Sequence, residues 1–237
     1  GKSVLVEKPM TLSAETSAEL VQLAEKKGVQ LMVGHVLLFH PAIRKIKEII
    51  DSGELGNLYY LYSNRLNLGT VRTEENVFWS FAPHDISVLD YFVGHPAEKI
   101  VSKGSKFLQE NVYDVTIIQL DYPNNVHAHI FVSWLHPFKE QRLVVIGSKG
   151  MISFDDATVE KEIKFYDKRI DFEKGIPVKV ENPTKIISYE QKQPLTEELK
   201  YFIEHLDKKI EIADGRSGLE VVKVLEEAEK KLRIDSL

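Results

Sequence analysis

The opening residues constrain this chain more than any others. Ser3–Val6 is a short apolar run and Leu31–Val33 is another, with a segment of helical grammar between them. Ser13 reads as an N-cap, Glu15 falls in the first turn, and Leu20, Leu23 and Ala24 share a face. Lys26 and Lys27 then precede Gly28, which reads as the stop. Strand, helix and strand in so short a stretch make a βαβ unit, with two parallel strands side by side. Two parallel strands do not form a stable sheet alone, because parallel pairing needs covered faces and neighbours. The expectation is a chain that has lost an N-terminal part or borrows the missing neighbours from a partner.

The grammar changes downstream. A helix follows at once, with Pro41 in its first turn, Ile43, Ile46 and Ile50 on one face, and Gly53 after its end. Leu58–Leu66 reads as a strand. Val112–Asp121 and Val126–Trp134 alternate around Tyr122-Pro123-Asn124-Asn125, the strongest hairpin signal in the chain. Arg142–Ile146 and Met151–Phe154 make a second hairpin across Gly147-Ser148-Lys149-Gly150, and Glu162–Tyr166 and Lys185–Tyr189 are weaker strands. Asp171–Thr184, charged and holding two prolines, reads as a linker. Three more helices are expected: Asp85–Val93; one bearing Leu199, Phe202, Ile203 and Leu206 behind Thr196 as cap; and a last one opened by a Ser217/Glu220 capping box and burying Val221, Leu225, Ala228 and Leu232. The fold class is α/β (α+β), a parallel unit followed by a large, mostly antiparallel open sheet.

Composition narrows the function. With 31 basic against 36 acidic side chains and a formal net charge of −5, the chain lacks the broad basic surface of a nucleic-acid binder. No apolar run is long enough to span a bilayer, and the first residues carry no signal-peptide pattern. The 237 residues include no cysteine, which removes disulfides, thiolate metal sites and thiol catalysis together. A cytoplasmic setting is expected.

Two groups stand out chemically. Glu7-Lys8-Pro9 sits just past the first strand, at the carboxyl edge where open parallel sheets collect ligands. Pro9 keeps Lys8 out of helical geometry, and a lysine held there can donate to a carbonyl or a developing alkoxide; the alternative is a solvated lysine at a strand end. His84-Asp85 follows Trp79-Ser80-Phe81-Ala82-Pro83 and is expected to open a helix, whose N-terminus would keep the imidazole neutral and able to take a proton. A histidine that merely caps its helix is the competing reading. His35 and His40 flank a strand-to-helix loop and either line a cleft or fill it. His127 and His129 alternate on one strand, about 7 Å apart at strand rise, but no third metal ligand is suggested, so a half-exposed sheet face is expected. Tyr59, Tyr60 and Tyr62 read as sheet packing. No G-x-G-x-x-G occurs, so the chain encodes no phosphate-binding turn of that kind.

In order, Val4-Leu5-Val6-Glu7-Lys8-Pro9, Leu31-Met32-Val33-Gly34-His35, Ser52-Gly53-Glu54-Leu55-Gly56, Pro83-His84-Asp85, Val145–Ile152 and Asp214-Gly215 resemble the glucose–fructose oxidoreductase, inositol dehydrogenase and rhizopine-catabolism family of NAD(P)-dependent sugar dehydrogenases. Tyr62–Gly69 and Trp79–Asp85 look closest to the branch that oxidises the 3-hydroxyl of UDP-N-acetylglucosamine or its uronic acid. The resemblance implies that residues 1–40 are the last part of a Rossmann nucleotide-binding domain. Residues 41–237 would then be a substrate-binding and oligomerising domain, with helices on one face of its sheet and a homo-oligomer formed through the other.

The resemblance also implies roles. Lys8 would lie beside nicotinamide and substrate, and His84 would take the hydroxyl proton. Glu7, Pro9 and His35 would line the cofactor edge, with NAD or NADP as cofactor in the complete enzyme. Ser80 and His84 would face a sugar or sugar nucleotide. Arg65 and Asn67 share one strand face and either contact that substrate, with Arg65 the better candidate for a phosphate or carboxylate, or belong to a sheet interface. Two departures stand out: Ser80 occupies a position where many relatives carry aspartate, and Leu37-Leu38 lies where an arginine is common. A non-catalytic binding or assembly module, and a metal-dependent hydrolase built on His127 and His129, are the competing classes.

Overall fold

The computed structural model describes residues 1–234. Strands β1 (Val4–Glu7) and β2 (Leu31–Gly34) pair in parallel, from Val4 opposite Leu31 to Glu7 opposite Gly34. Helix α1 (Ala14–Lys27) crosses between them, its Ser13 hydroxyl accepting the Thr16 amide and Gly28 closing it in a left-handed conformation at φ 62°. Its inward face is Ser17 and Val21, whereas Leu23 is exposed. A 3-10 turn (Val36–Phe39) leads into α2 (Pro41–Asp51), where His40 Nδ1 accepts the Ala42 amide at 3.1 Å and so caps the helix.

Next come β3 (Leu58–Leu66), α3 (Val77–Val93), β4 (Lys99–Ser105), β5 (Val115–Tyr122), β6 (Val126–Ser133), β7 (Glu140–Gly147), β8 (Met151–Asp155) and β9 (Ile163–Tyr166). With β12 (Lys185–Ile187) these build an eight-stranded sheet in the order β12-β9-β8-β7-β3-β6-β5-β4. Within it β3 and β6 run parallel and the other neighbours antiparallel. The expected turn at Tyr122–Asn125 is present, with Asn124 and Asn125 both at positive φ. Strand β4 carried no clear sequence signal. Asp171–Thr184 is no linker: β10 (Lys168–Glu173) and β11 (Ile176–Glu181) pair as a separate antiparallel hairpin across Lys174-Gly175, so its charges decorate a ribbon.

Alternation sorts the sheet into two faces, as period-two side chains require. Ile118, Leu120, Ala128, Ile130 and Val132 point into a core filled by Phe78, Phe92 and Trp134. Helix α3 and helix α5 (Gly215–Ile234) cover that face. The opposite face carries Tyr60, Val101 and Ile117, all exposed, together with His127 and His129. Trp79 Nε1 donates to Glu229 at 3.0 Å and ties α3 to α5.

Helix α5 also reaches back to the first unit. Val33 N donates to Ala213 O at 2.8 Å, and Gly218 lies so close to Val33 that a Cβ would stand 2.4 Å from Val33 Cγ2. The cap of α5 is Asp214, whose carboxylate accepts the Ser217 amide at 2.8 Å, rather than Ser217 itself. Helix α4 (Pro194–Glu204) likewise starts earlier than Thr196, with Gln193 as its N-cap residue. Of its expected stripe, Phe202 packs partly against the core, whereas Leu199, Ile203 and, just past its end, Leu206 are exposed; the residue it buries fully is Glu198.

Candidate active site

Lys8 projects from the carboxyl edge of β1, just before a cis peptide to Pro9. Its ammonium donates to the Ser80 carbonyl at 3.0 Å. Ser80 lies in α3 one turn before His84, and helical side chains lean toward the N-terminus over the preceding turn. The His84 ring therefore overhangs the turn that holds the Lys8 amine. Each residue feels the field of the next, Lys8 acting on His84 and His35, and His35 on His84. Three residues far apart in sequence meet in one space.

The position of His84 differs from the one expected. Helix α3 begins at Val77, capped by Asn76, whose side chain accepts the Phe78 and Trp79 amides. His84 thus sits within the helix, and a helix N-terminus cannot be what keeps it neutral. Burial does so first; the positive charges of Arg65 and Lys8, and His35, add to it, holding the imidazole well below its ordinary value. Pro83 is built into the same helix and supplies no amide to the carbonyl four residues back. The Asp85–Val93 segment carried a clear apolar stripe, whereas the turns before it are apolar nearly all round and include a proline.

His35 is 1% exposed, and both of its ring nitrogens lack a hydrogen-bond partner. Burial, with Lys8 adding, lowers it to about 4. His84 Nδ1 is likewise buried and unpartnered. Burial also lowers Lys8; Glu75 opposes this, and Arg65 and Arg72 reinforce it. Glu7 lies at the same edge, exposed, with its carboxylate over Gly34.

Arg65 is engaged internally. Its Nε donates to Asp85 Oδ2 at 2.8 Å and its Nη2 to Asp85 Oδ1 at 3.0 Å, while Ser63 Oγ donates to the same Oδ1 at 2.6 Å. Burial works against the guanidinium charge, but the charge and hydrogen bonds of Asp85 outweigh it and raise Arg65 above its ordinary value. The fork offered to a phosphate or carboxylate is met by a carboxylate of the chain itself. Asn67 follows β3, its amide donating to Ser133 O at 3.0 Å. Asp85, Arg72 and Glu75 were not singled out from sequence; the clue for Asp85 was its place beside His84, opposite an arginine two residues after a serine on one strand face.

The paired histidines of the sheet have other company. His127 contacts Asp121 at 2.8 Å, and His129 stacks on Tyr62 with ring centroids 5.0 Å apart. Among the described residues, no group of three or more His, Cys, Asp or Glu is placed to hold a metal.

The residues at this edge suit the nicotinamide end of a dinucleotide. They offer an ammonium and neutral imidazoles with unpartnered nitrogens beside a parallel strand pair. The sequence holds no glycine fingerprint for the pyrophosphate.

Comparison with known proteins agrees with this arrangement. Residues 1–35 match the oxidoreductase family's NAD-binding Rossmann fold, and residues 43–153 match the GFO/IDH/MocA C-terminal domain. An uncharacterized oxidoreductase, YrbE, of Bacillus subtilis (strain 168) is 29% identical over 167 residues, covering 66% of this chain and 49% of the relative. The D-xylose 1-dehydrogenase [NADP(+)] of Haloarcula marismortui is 25% identical across 99% of this chain and 68% of its own length. Among solved structures, UDP-N-acetylglucosamine 3-dehydrogenase GnnA from Acidithiobacillus ferrooxidans superposes with a TM-score of 0.81 at 19% identity, covering 97% of this chain and 71% of that one. The chain spans about half the length of the first curated relatives it matches. Among the described residues no helix is long and apolar enough to cross a membrane. Matched in order by the Rossmann and the C-terminal family models, the chain carries GFO/IDH/MocA oxidoreductase family domains.

Proposed function

We propose that this chain carries the substrate side and the catalytic residues of an NAD(P)-dependent oxidoreductase that oxidises a hydroxyl of a sugar or sugar nucleotide. The observation that supports it most is the meeting of the Lys8 amine and the His84 ring at one turn of α3. In this reading His84, neutral because it is buried among positive charges, accepts the proton of the reacting hydroxyl. Lys8 steadies the oxygen as negative charge grows on it, and its bond to the Ser80 carbonyl keeps it aimed there. The nicotinamide, when bound, supplies the hydride acceptor. Glu7, Lys8, Pro9 and His35 would border it, while Arg65, Asn67, Ser80 and His84 face the sugar. Arg65 acts there by locking Asp85 behind His84.

The finer assignment, a UDP-N-acetylglucosamine-type 3-dehydrogenase, draws on the Tyr62–Gly69 and Trp79–Asp85 motifs and on the structural likeness to the Acidithiobacillus enzyme. Residues 1–40 would form the cofactor side and 41–237 the substrate side. The exposed Tyr60, Val101 and Ile117 favour a homo-oligomer through the open sheet face. A cytoplasmic setting, where pyridine nucleotides are supplied, belongs to the same reading.

The competing reading is a sugar-nucleotide-binding or assembly module without redox activity. Titration with UDP-N-acetylglucosamine and with NADH separates the readings. In a preparation in which the chain stands with the glycine-rich half of the cofactor site, saturable binding of both, and substrate-dependent reduction of NAD that His84→Ala abolishes, is the expected result. Binding of the sugar nucleotide without NADH binding would favour the module, and binding of neither would sink both.

A further inference from the structure

The loop from Asn67 to Asn76 joins β3, which carries Arg65, to α3, which carries Ser80 and His84. Its backbone is pinned along its length. Asn67 N and Gly69 N donate to Ser133 O and Trp134 O, Gln109 Nε2 donates to Arg72 O at 2.8 Å, and Asn76 caps α3. Between these anchors Arg72 Nε meets Glu75 Oε1 at 3.1 Å, with side chains 53% and 34% exposed. Glu75 directly precedes the cap of the helix whose first turns hold the Lys8 amine, so this ion pair stands at the end of α3 nearest that amine. Lys8 feels both charges.

The two arginines near the site differ in their freedom. Arg65 is closed against the buried Asp85 by two hydrogen bonds and is itself only 14% exposed. Arg72 is ion-paired with the half-exposed Glu75 carboxylate and acts on the exposed Glu74 beside it, and pairs of this kind at the surface are worth little and are screened by salt. A guanidinium on a fixed backbone with a weakly held partner is suited to exchange that partner for a bidentate anion.

We propose that Arg72 is the specificity residue that holds the anionic part of the substrate, a diphosphate or a uronate carboxylate, releasing Glu75 as it does so. The inference rests on the sugar-nucleotide reading above. Glu75 acts as the stand-in anion: it offsets the Arg72 charge while no ligand is bound and repels the same group that Arg72 attracts. Phosphate and carboxylate both present a pair of anionic oxygens that a guanidinium can meet with two parallel N–H donors, so the source of the anion is decided by the probes.

Calorimetric titration of the full chain with UDP-N-acetylglucosamine, N-acetylglucosamine, UMP and glucuronate tests it, using wild type, Arg72→Ala and Glu75→Gln. Arg72→Ala should weaken UDP-N-acetylglucosamine by about tenfold or more, the scale of one charge-assisted bidentate contact, and leave N-acetylglucosamine unchanged. Glu75→Gln should tighten the anionic ligand severalfold and flatten its salt dependence on the free-protein side. A parallel loss for UMP identifies the phosphate as the held group, and a loss for glucuronate alone identifies the carboxylate. Wild-type binding that Arg72→Ala leaves intact overturns the role of Arg72 while sparing the sugar-nucleotide reading. Failure of every anionic probe to bind wild type overturns both. Circular dichroism of each variant confirms that the comparison is between folded proteins.

Discussion

Arg65 on β3 and Asp85 on α3 form a two-point hydrogen-bonded pair, with Ser63 completing the carboxylate. The pair fastens α3 to a central strand of the sheet at the residue that follows His84. Removing one partner strands a buried charge, whereas removing both does not. Asp85→Ala should therefore destabilise the chain by about 3–5 kcal/mol in urea denaturation. The double change Arg65→Met with Asp85→Leu should cost far less. Equal losses in the two variants would show that the pair does not behave as one unit.

His84 makes no hydrogen bond at Nδ1, so its removal should disturb function more than fold. In a preparation that turns over a sugar substrate, His84→Ala should lower kcat by about 10²–10⁴-fold, the usual contribution of a positioned base. The melting temperature should stay close to wild type. Because the imidazole is held well below 6.5, the acid limb of the wild-type rate should lie below the pH at which a free histidine titrates. Unchanged turnover in the variant would remove His84 from the mechanism.

His35 makes stability depend on pH. Folded, it titrates at about 4, against 6.5 when unfolded. Below pH 6.5 the unfolded chain takes up a proton that the folded chain refuses, so stability falls as pH drops from 6.5 toward 4 and is level above. The span corresponds to about 3 kcal/mol as an upper figure for a fully buried group. His84, lowered for the same first reason, acts in the same direction. His35→Leu should flatten this acid limb in denaturation curves taken across that range. A limb as steep as in wild type would assign it to other groups.

Gly218 sets two forces against each other. Alanine is favoured over glycine inside a helix by about 1 kcal/mol. Here its Cβ would press on Val33 Cγ2, a stiff, fully buried side chain, at 2.4 Å. Overpacking costs about 1–3 kcal/mol, so Gly218→Ala should be destabilising on balance. In a Val33→Ala background the same change should become neutral or stabilising, and a thermal-melt double-mutant cycle reads the coupling. Additive effects would mean that α5 shifts freely.

What could be read from the chain beforehand follows from how local each signal is. The first βαβ unit, β3, the Tyr122–Asn125 hairpin and the Gly147–Gly150 turn were visible because apolar period and turn chemistry agree there. The start of α3 was not, because Val77–Pro83 is apolar almost all round and a proline stands where helices usually stop. The hairpin from Lys168 to Glu181 resembled a linker because both its faces are half-solvated. Lys8 and His84 could be singled out by residue type and motif. That burial, with the charges of Arg65 and Lys8 and with His35, holds the His84 imidazole low is a matter of tertiary packing that no local period encodes. Most of the apolar stripe of α4 pointed outward, because burial is decided by what packs against a helix and not by its own pattern.

Helix α5 touches both the β1–β2 pair and the large sheet, and Ala213 adds a backbone bond to Val33. The helix is a strut between the two sheets. A change in how it seats against Val33 would tilt the edge that bears Lys8 relative to α3, so a substitution remote from both side chains can detune their separation.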